Sequence, residues 1–227
     1  MPNIYSTVDV IGYLSQIGSF SWSDFYGVAA ASMVETSGND SRIETIDDST
    51  TAPSFPTAAQ KRYYIEFNIS NITLTPVSGT FNLHGSGYVS DAIPFICAQA
   101  SFATAGEVVV GDWDAWNESS PVYYTNRLET WDDDGYNIFT LTQTALDFMG
   151  NSDNDEFQMV CMDADYQAIQ DAPVDDGGES DPYSVAKLFS RSNVLGEEPF
   201  LSYIPFPPNL SIKSGKVTIN SGKLIIK

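Results

Sequence analysis

Histidine is almost missing from this chain. Among 227 residues, His84 stands alone. Any catalytic site of the Ser-His-Asp or Cys-His kind would have to be built on it. His84 lies in Asn82-Leu83-His84-Gly85-Ser86-Gly87, where a strand meets a turn, and reads as an exposed turn residue. No G-x-S-x-G elbow, phosphate-binding P-loop or H-E-x-x-H pattern occurs. Carboxylate pairs of the glycosidase kind remain conceivable, but among 30 acidic residues some pair always lies close, so proximity says little. The sequence points away from catalysis.

Cysteine is nearly as scarce, with Cys97 and Cys161 alone. Each sits in an alternating apolar stretch and is expected to be a small buried core residue. Two cysteines without histidine partners do not make a zinc site. A disulfide between them needs the sulfurs side by side, which spacing in sequence does not establish. Positive charge is the third scarcity: 10 Lys and Arg face 30 Asp and Glu, a net charge of -20. Such a surface repels nucleic acid and anionic membranes, so neither is an expected partner of the body. No apolar run reaches the length of a membrane span. The opening Met1-Pro2-Asn3-Ile4 lacks a basic and then apolar leader, so export by a secretory signal is not expected.

What is present is a core-forming composition, with 42% hydrophobic and 13% aromatic residues. The clearest strand is Arg62–Ser70. Tyr63, Ile65, Phe67 and Ile69 alternate with Tyr64, Glu66 and Asn68, which predicts one face on a core and the other toward solvent. Further strands are predicted at 72–75, 79–84, 93–102, 107–110, 121–124, 136–141, 156–163, 184–190 and 200–204, separated by Gly, Pro, Asn and Asp clusters. Residues 36–60, rich in Ser, Thr, Asp and Pro, read as loop. One short helix is predicted at 142–149, with Thr142 as N-cap, a stop at Gly150-Asn151, and Ala145, Leu146 and Met149 on one face. Many short strands with turn signals predict an all-β, jelly-roll-type antiparallel β-sandwich with one short helix and a C-terminal β-hairpin-like tail. The predicted organisation is an arm or first strand at 1–20, the sandwich at 21–204, and a proline-rich linker with a basic tail at 205–227.

Three stretches carry a family resemblance. Arg62-Tyr63-Tyr64-Ile65-Glu66-Phe67-Asn68-Ile69-Ser70 has the form R-x-x-I-x-F-D-I-S, with Asn68 where Asp is usual. Phe139-Thr140-Leu141-Thr142, followed by Ala145–Met149, matches a strand with a short helix. Phe189-Ser190-Arg191-Ser192 and then Glu198-Pro199-Phe200-Leu201-Ser202-Tyr203-Ile204 match a closing strand. In this order they resemble the DNRLRE-type β-sandwich, a jelly-roll relative of carbohydrate-binding modules found in surface proteins. The resemblance implies a fold and a surface role, without a ligand.

Calcium is the cofactor the acidic loops suggest, because hard cations take several carboxylate and carbonyl oxygens on a turn. The loops are Asp132-Asp133-Asp134-Gly135, Asn151 to Glu156, and 175–181. The candidate ligands are Asn151, Asp153, Asp155 and Glu156, then Asp132 and Asp134; none of the loops has EF-hand spacing. Against this stands the reading as solvated turns. Trp113, Trp116 and Trp131 lie in an aromatic-rich stretch and are candidates for stacking on a surface glycan, against core packing as the alternative.

The tail differs from the body. Past Glu198 come Lys213, Lys216, Lys223 and Lys227 and no acid, so the tail carries +4 and residues 1–198 carry -24, summing to -20. Ile212 to Thr218 is echoed by Ile219 to Ile225, each with a Ser-Gly suited to a tight turn. Lys216, Val217, Ile219, Lys223, Leu224 and Ile225 are the candidate assembly residues, expected to dock by strand addition on the body or on a neighbour. The function this favours is a non-enzymatic virion structural protein, such as a phage capsid-decoration, head-fibre or tail-associated protein. Its expected partners are other virion proteins or copies of itself. A carbohydrate-binding module or adhesin is the second expectation, and a glycan-active enzyme the third.

Overall fold

The alternating stretch after Gln60 forms the centre of the fold. In a computed structural model of the chain, the strands are β1 (Asn3–Ile17), β2 (Met33–Glu35), β3 (Asp40–Asp47), β4 (Thr57–Asn68), β5 (Ser78–Tyr88), β6 (Phe95–Gln99), β7 (Tyr136–Thr140), β8 (Glu156–Asp163), β9 (Tyr183–Ser190), β10 (Phe200–Ile204), β11 (Val217–Asn220) and β12 (Lys223–Ile226). Helix α1 (Gln143–Met149) precedes β8. The structure describes residues 1–17, 30–31, 33–35, 40–47, 57–88, 94–165, 168, 183–190, 195–206, 217–220 and 223–226.

Among the described residues every strand pairing is antiparallel, and the fold is all-β, as the turn spacing predicts. A front sheet runs β7-β5-β10-β1. The two long strands then leave it. Past a register shift between Ser6 and Val8, β1 runs along β4 as far as Ile17↔Thr57. Past a shift between Gly85 and Gly87, β5 joins β9. With β9 on β3 and β3 on β4, the circuit β1-β10-β5-β9-β3-β4 closes on itself. Strands that change sheets at irregularities are how a sandwich turns its corners without leaving open edges. β8 and β6 extend the second sheet from β4, and β2 lies on the other side of β1.

Between the sheets lies one core of Tyr63, Ile65, Phe67, Phe81, Leu83, Phe95, Cys97, Phe139, Phe157, Met159, Cys161 and Leu201, closed at one end by Ala145, Leu146 and Met149 of α1. The helix starts and stops as predicted: Thr142 Oγ1 accepts from the Ala145 N–H, and Gly150 is the C-cap. β8 and β10 also keep their predicted bounds.

Five expectations are corrected. Residues 40–47 form β3 and 57–60 open β4, within the stretch expected as loop. Of the two alternatives left open for residues 1–20, the first strand is the one formed, as β1. Residues 72–75 form no strand, and Ile72 N–H closes a turn on the Ile69 carbonyl. The 107–110 stretch leads into a 3-10 turn at Val110–Asp114, because the buried Asp112 carboxylate accepts from the Ala103 and Val109 N–H groups and folds the loop on itself. The 121–124 stretch meets β6 only through an isolated bridge. Within β4, Tyr64 and Glu66 are buried, not solvent-facing. A second core of Ala98, Phe102, Val108, Trp113, Trp116, Val160 and Met162 covers that face.

Candidate binding face and the sequence-predicted residues

The register of the front sheet orders its side chains into rows. Phe139, Phe81, Leu201 and Ile4 stand opposite one another across β7, β5, β10 and β1 and face the core. One residue along, Ile138, Asn82, Phe200 and Tyr5 form the matching row on the outer face. Strand alternation puts the first row on the core and the second on the opposite side of the sheet. Ile138 is 55% exposed and Tyr5 53%, a high exposure for two large apolar side chains on one sheet face. The next row is small and polar: Thr140, Thr80, Ser202 and Asn3.

Rings link the strands. Tyr5 and Phe200 have centroids 5.9 Å apart, Phe200 and Tyr136 5.1 Å, and Tyr136 and His84 5.0 Å, the last two edge-to-face. Such geometry suits the ring quadrupole and fixes the rings in place. Asn82 sits among them and is buried, its Nδ2 donating to Thr80 Oγ1 and to the carbonyls of Thr80 and Phe200.

One end of this face is acidic. Tyr136 Oη donates to the carbonyls of Gly196 and Glu198, which pins the 196–198 turn beside the rings. Glu197 Oε2 lies 3.8 Å from His84 Nδ1. Partial burial, then the carboxylates of Glu198 and Glu197 with Tyr5, push the Tyr136 phenol above its ordinary pKa. Asp132, Asp133 and Asp134 precede β7 directly. Their loop is held at the corner by Gly85 N–H donating to the Gly135 carbonyl and by Asn137, which exchanges hydrogen bonds with the Asp132 backbone. Gly85 is required there, since a Cβ would meet the Asp132 carbonyl oxygen.

The three tryptophans chosen for glycan stacking do not form a platform. Trp113 and Trp116 are 1% and 3% exposed. Their ring faces are taken by the fully buried Arg62, whose guanidinium carbon lies 4.2 Å and 5.2 Å from the two ring centroids. The guanidinium donates to the Trp113 carbonyl at 3.1 Å, to Gln60 Oε1 at 3.4 Å and to Glu118 Oε1 at 3.5 Å, and Tyr64 Oη donates to the same Trp113 carbonyl. A ring that already stacks on a cation inside the protein has no face for a sugar. Trp131 is half-buried, packed 5.4 Å from Phe95. The core alternative is the one the geometry supports for Trp113 and Trp116.

The acidic loops are not gathered into a cage. Asn151 Oδ1 accepts from the Asp153 N–H and Asp132 Oδ1 from the Asp134 N–H, so each carboxamide or carboxylate serves its own turn. Asp153 and Asp155 are exposed and Glu156 half-buried. Among the described residues no three His, Cys, Asp or Glu side chains come together to hold a metal ion. The 175–181 loop lies outside the described residues.

Of the assembly candidates, Val217 and Ile219 lie in β11 and Lys223, Leu224 and Ile225 in β12; Lys216 lies outside the described residues. The two strands pair as Val217↔Ile226, Thr218↔Ile225, Ile219↔Leu224 and Asn220↔Lys223. They form a sheet of their own, with no pairing to the main sheet among the described residues. The outer row Tyr5, Asn82, Ile138 and Phe200 was not singled out by the sequence, and alternation within β7 and β10 was its one available signal. No protein-family model matches the chain, and the search of curated proteins finds no match.

Proposed function

We propose that this chain is a non-enzymatic structural subunit of the kind that builds or decorates a virion, held in its assembly by the C-terminal hairpin. The observation that carries the reading is the separate two-stranded sheet β11-β12 beside a body whose main sheet closes on itself. A lone two-stranded ribbon is marginal in water and gains stability only by laying a face on something larger. Its register puts Val217, Ile219, Leu224 and Ile226 at positions sharing one side of the ribbon.

The occupant we assign to the front-sheet face is this hairpin from a second copy. The face exposes Ile138 and Tyr5 at the ends of a row that also holds half-buried Phe200 and buried Asn82, and Glu197, Glu198, Asp132 and Asp134 lie toward one end of it. The hairpin carries Lys223 and no acid, and the tail past Glu198 to which it belongs sums to +4 against -24 for residues 1–198. Apolar contact would supply affinity, and the opposed charges would steer and orient the encounter.

The test compares full-length protein with a Leu224→Asp variant and with a chain ending at Ile204, by light scattering after size exclusion. The wild type should form oligomers that weaken in high salt, while both variants stay folded and monomeric. A wild-type chain that is monomeric at high protein concentration, or a truncated chain that assembles as before, refutes the reading. Ile138→Asp then tests the face. If Leu224→Asp dissociates the oligomer and Ile138→Asp does not, the hairpin docks elsewhere.

A further inference from the structure

The two cysteines stand directly opposite each other: Cys97 of β6 is the register partner of Cys161 of β8. Both are 0% exposed and belong to the same core, so both side chains leave the sheet on the same side. The kind of pair they form follows from the hydrogen bonds of β6. The Cys97 carbonyl accepts from the Tyr124 and Thr125 N–H groups, and its N–H donates to Thr125 Oγ1. Phe95 and Gln99 likewise bond to Leu128 and Val122, whereas Ala100 N–H donates to Gln158 of β8. The backbone of Cys97 therefore points away from β8, and Cys97–Cys161 is a non-hydrogen-bonded antiparallel pair. Opposed residues of that type have Cα atoms about 4.5 Å apart, the closest approach a sheet offers. A disulfide spans Cα separations of about 4.4–6.8 Å.

We propose that Cys97 and Cys161, free thiols in this structure, are a latent cross-strand disulfide that closes under a small-molecule disulfide oxidant and staples β6 to β8. The proposal is independent of the assembly reading. In the reaction one cysteine thiolate attacks oxidised glutathione, forming a mixed disulfide and releasing one glutathione thiolate. The second cysteine thiolate then attacks the protein sulfur of that mixed disulfide and releases the other. Two S–H bonds and one glutathione S–S bond break; the protein S–S bond and two glutathione S–H bonds form. Two electrons and two protons pass from protein to glutathione.

Closure is gated. Burial and the adjacent Cys97 thiol hold the Cys161 thiol well above the usual pKa, so little thiolate exists in the closed fold. The 122–128 stretch covers the outer edge of β6 through its bonds at Phe95, Cys97 and Gln99. Attack must await local opening of that cover, and the rate should follow the opening equilibrium.

The experiment treats reduced full-length protein with oxidised glutathione, with and without sub-denaturing urea. Intact mass, cross-linked peptides and thermal melting are the readouts. The expected results are a loss of two hydrogens, a peptide joining Cys97 to Cys161, faster closure in urea, and a Tm raised by roughly 10 °C as expected for a crosslink closing a long loop. Cys97→Ala should show no such mass loss. A parallel arm refolds the chain in a glutathione redox buffer, so that slow access cannot hide the result. Oxidised protein that melts below the reduced form, or that carries only glutathione adducts or intermolecular links, overturns the proposal.

Discussion

Removing the charge of Arg62 while keeping its stem separates two accounts of the loop over β4. Arg62 has no exposed side-chain surface, lies against Trp113 and Trp116, and bonds to the Trp113 carbonyl, Gln60 and Glu118. Two cation–π contacts in a dry site contribute up to about 2 kcal/mol each. A hydrogen bond to a charged group adds about 1.5–3 kcal/mol net. Against them stands the desolvation of a guanidinium, several kcal/mol, made worse here because Nε has no partner. The 3.5 Å contacts to Glu118 are long for a charge-assisted pair, so the rings and the Trp113 carbonyl carry most of the gain. Arg62→Met fills the space but leaves that carbonyl with Tyr64 alone and Gln60 Oε1 without its guanidinium donor. The expected loss is about 2–4 kcal/mol, and Arg62→Ala, which also opens a cavity, loses about 4–5 kcal/mol. Urea unfolding followed by tryptophan fluorescence and far-ultraviolet circular dichroism measures both. Because buried charges are poorly screened, the loss should persist in 1 M salt. If Arg62→Met is as stable as the wild type, the guanidinium is a net cost and apolar contact alone holds the loop.

Two tyrosines should respond oppositely to loss of the hydroxyl. Tyr64→Phe deletes the bond to the Trp113 carbonyl and should cost about 1 kcal/mol, while Tyr124→Phe deletes a buried hydroxyl without a partner, keeps the stacking on Phe157, and should be neutral or stabilising by up to about 1 kcal/mol. Burial raises the pKa of both phenols above the usual value of about 10, so their contribution is full below that pH and lost as pH rises toward the folded-state values. The melting temperature should be level from neutrality to about pH 9.5 and fall above pH 10; no alkaline fall refutes the assignment. Asp112→Ala leaves the Ala103 and Val109 N–H groups without their acceptor and should destabilise by about 3 kcal/mol in urea melts. Gly85→Ala forces the Asp132 backbone away from the corner and should cost about 1–3 kcal/mol, with a changed Trp131 emission.

How much of this fold is legible in the sequence depends on where each element finds its energy. α1 carries its own signals, a Thr cap and a Gly stop around a short apolar stripe, and these mark its ends. β8 and β10 are bounded by turn residues on both sides and kept their limits too. β3 has no such signal. Asp-Ser-Arg-Ile-Glu-Thr-Ile-Asp is polar at most positions and becomes a strand because β9 and β4 take its backbone groups on both sides. β4 misled for a related reason: its second face reads as solvated until the 100–116 stretch folds over it, burying Tyr64, Glu66 and Arg62. That same covering turned Trp113 and Trp116 from candidate platforms into walls around a cation.

The outer row of the front sheet is not legible in the sequence. Tyr5, Asn82, Ile138 and Phe200 each come from a different strand, and only the register of three separate pairings sets them side by side. Locally each is one apolar or amide residue on an alternating strand, no different from a surface residue on any sheet. Their exposure becomes meaningful only once the opposite row, Ile4, Phe81, Phe139 and Leu201, is known to fill the core. A sheet that has already buried one apolar row gains nothing in its own folding from a second on the other side. Tyr5 and Ile138 stand 53% and 55% exposed at the two ends of that outer row, with half-buried Phe200 and buried Asn82 between them, so it is the register across strands, and no single residue, that makes the row.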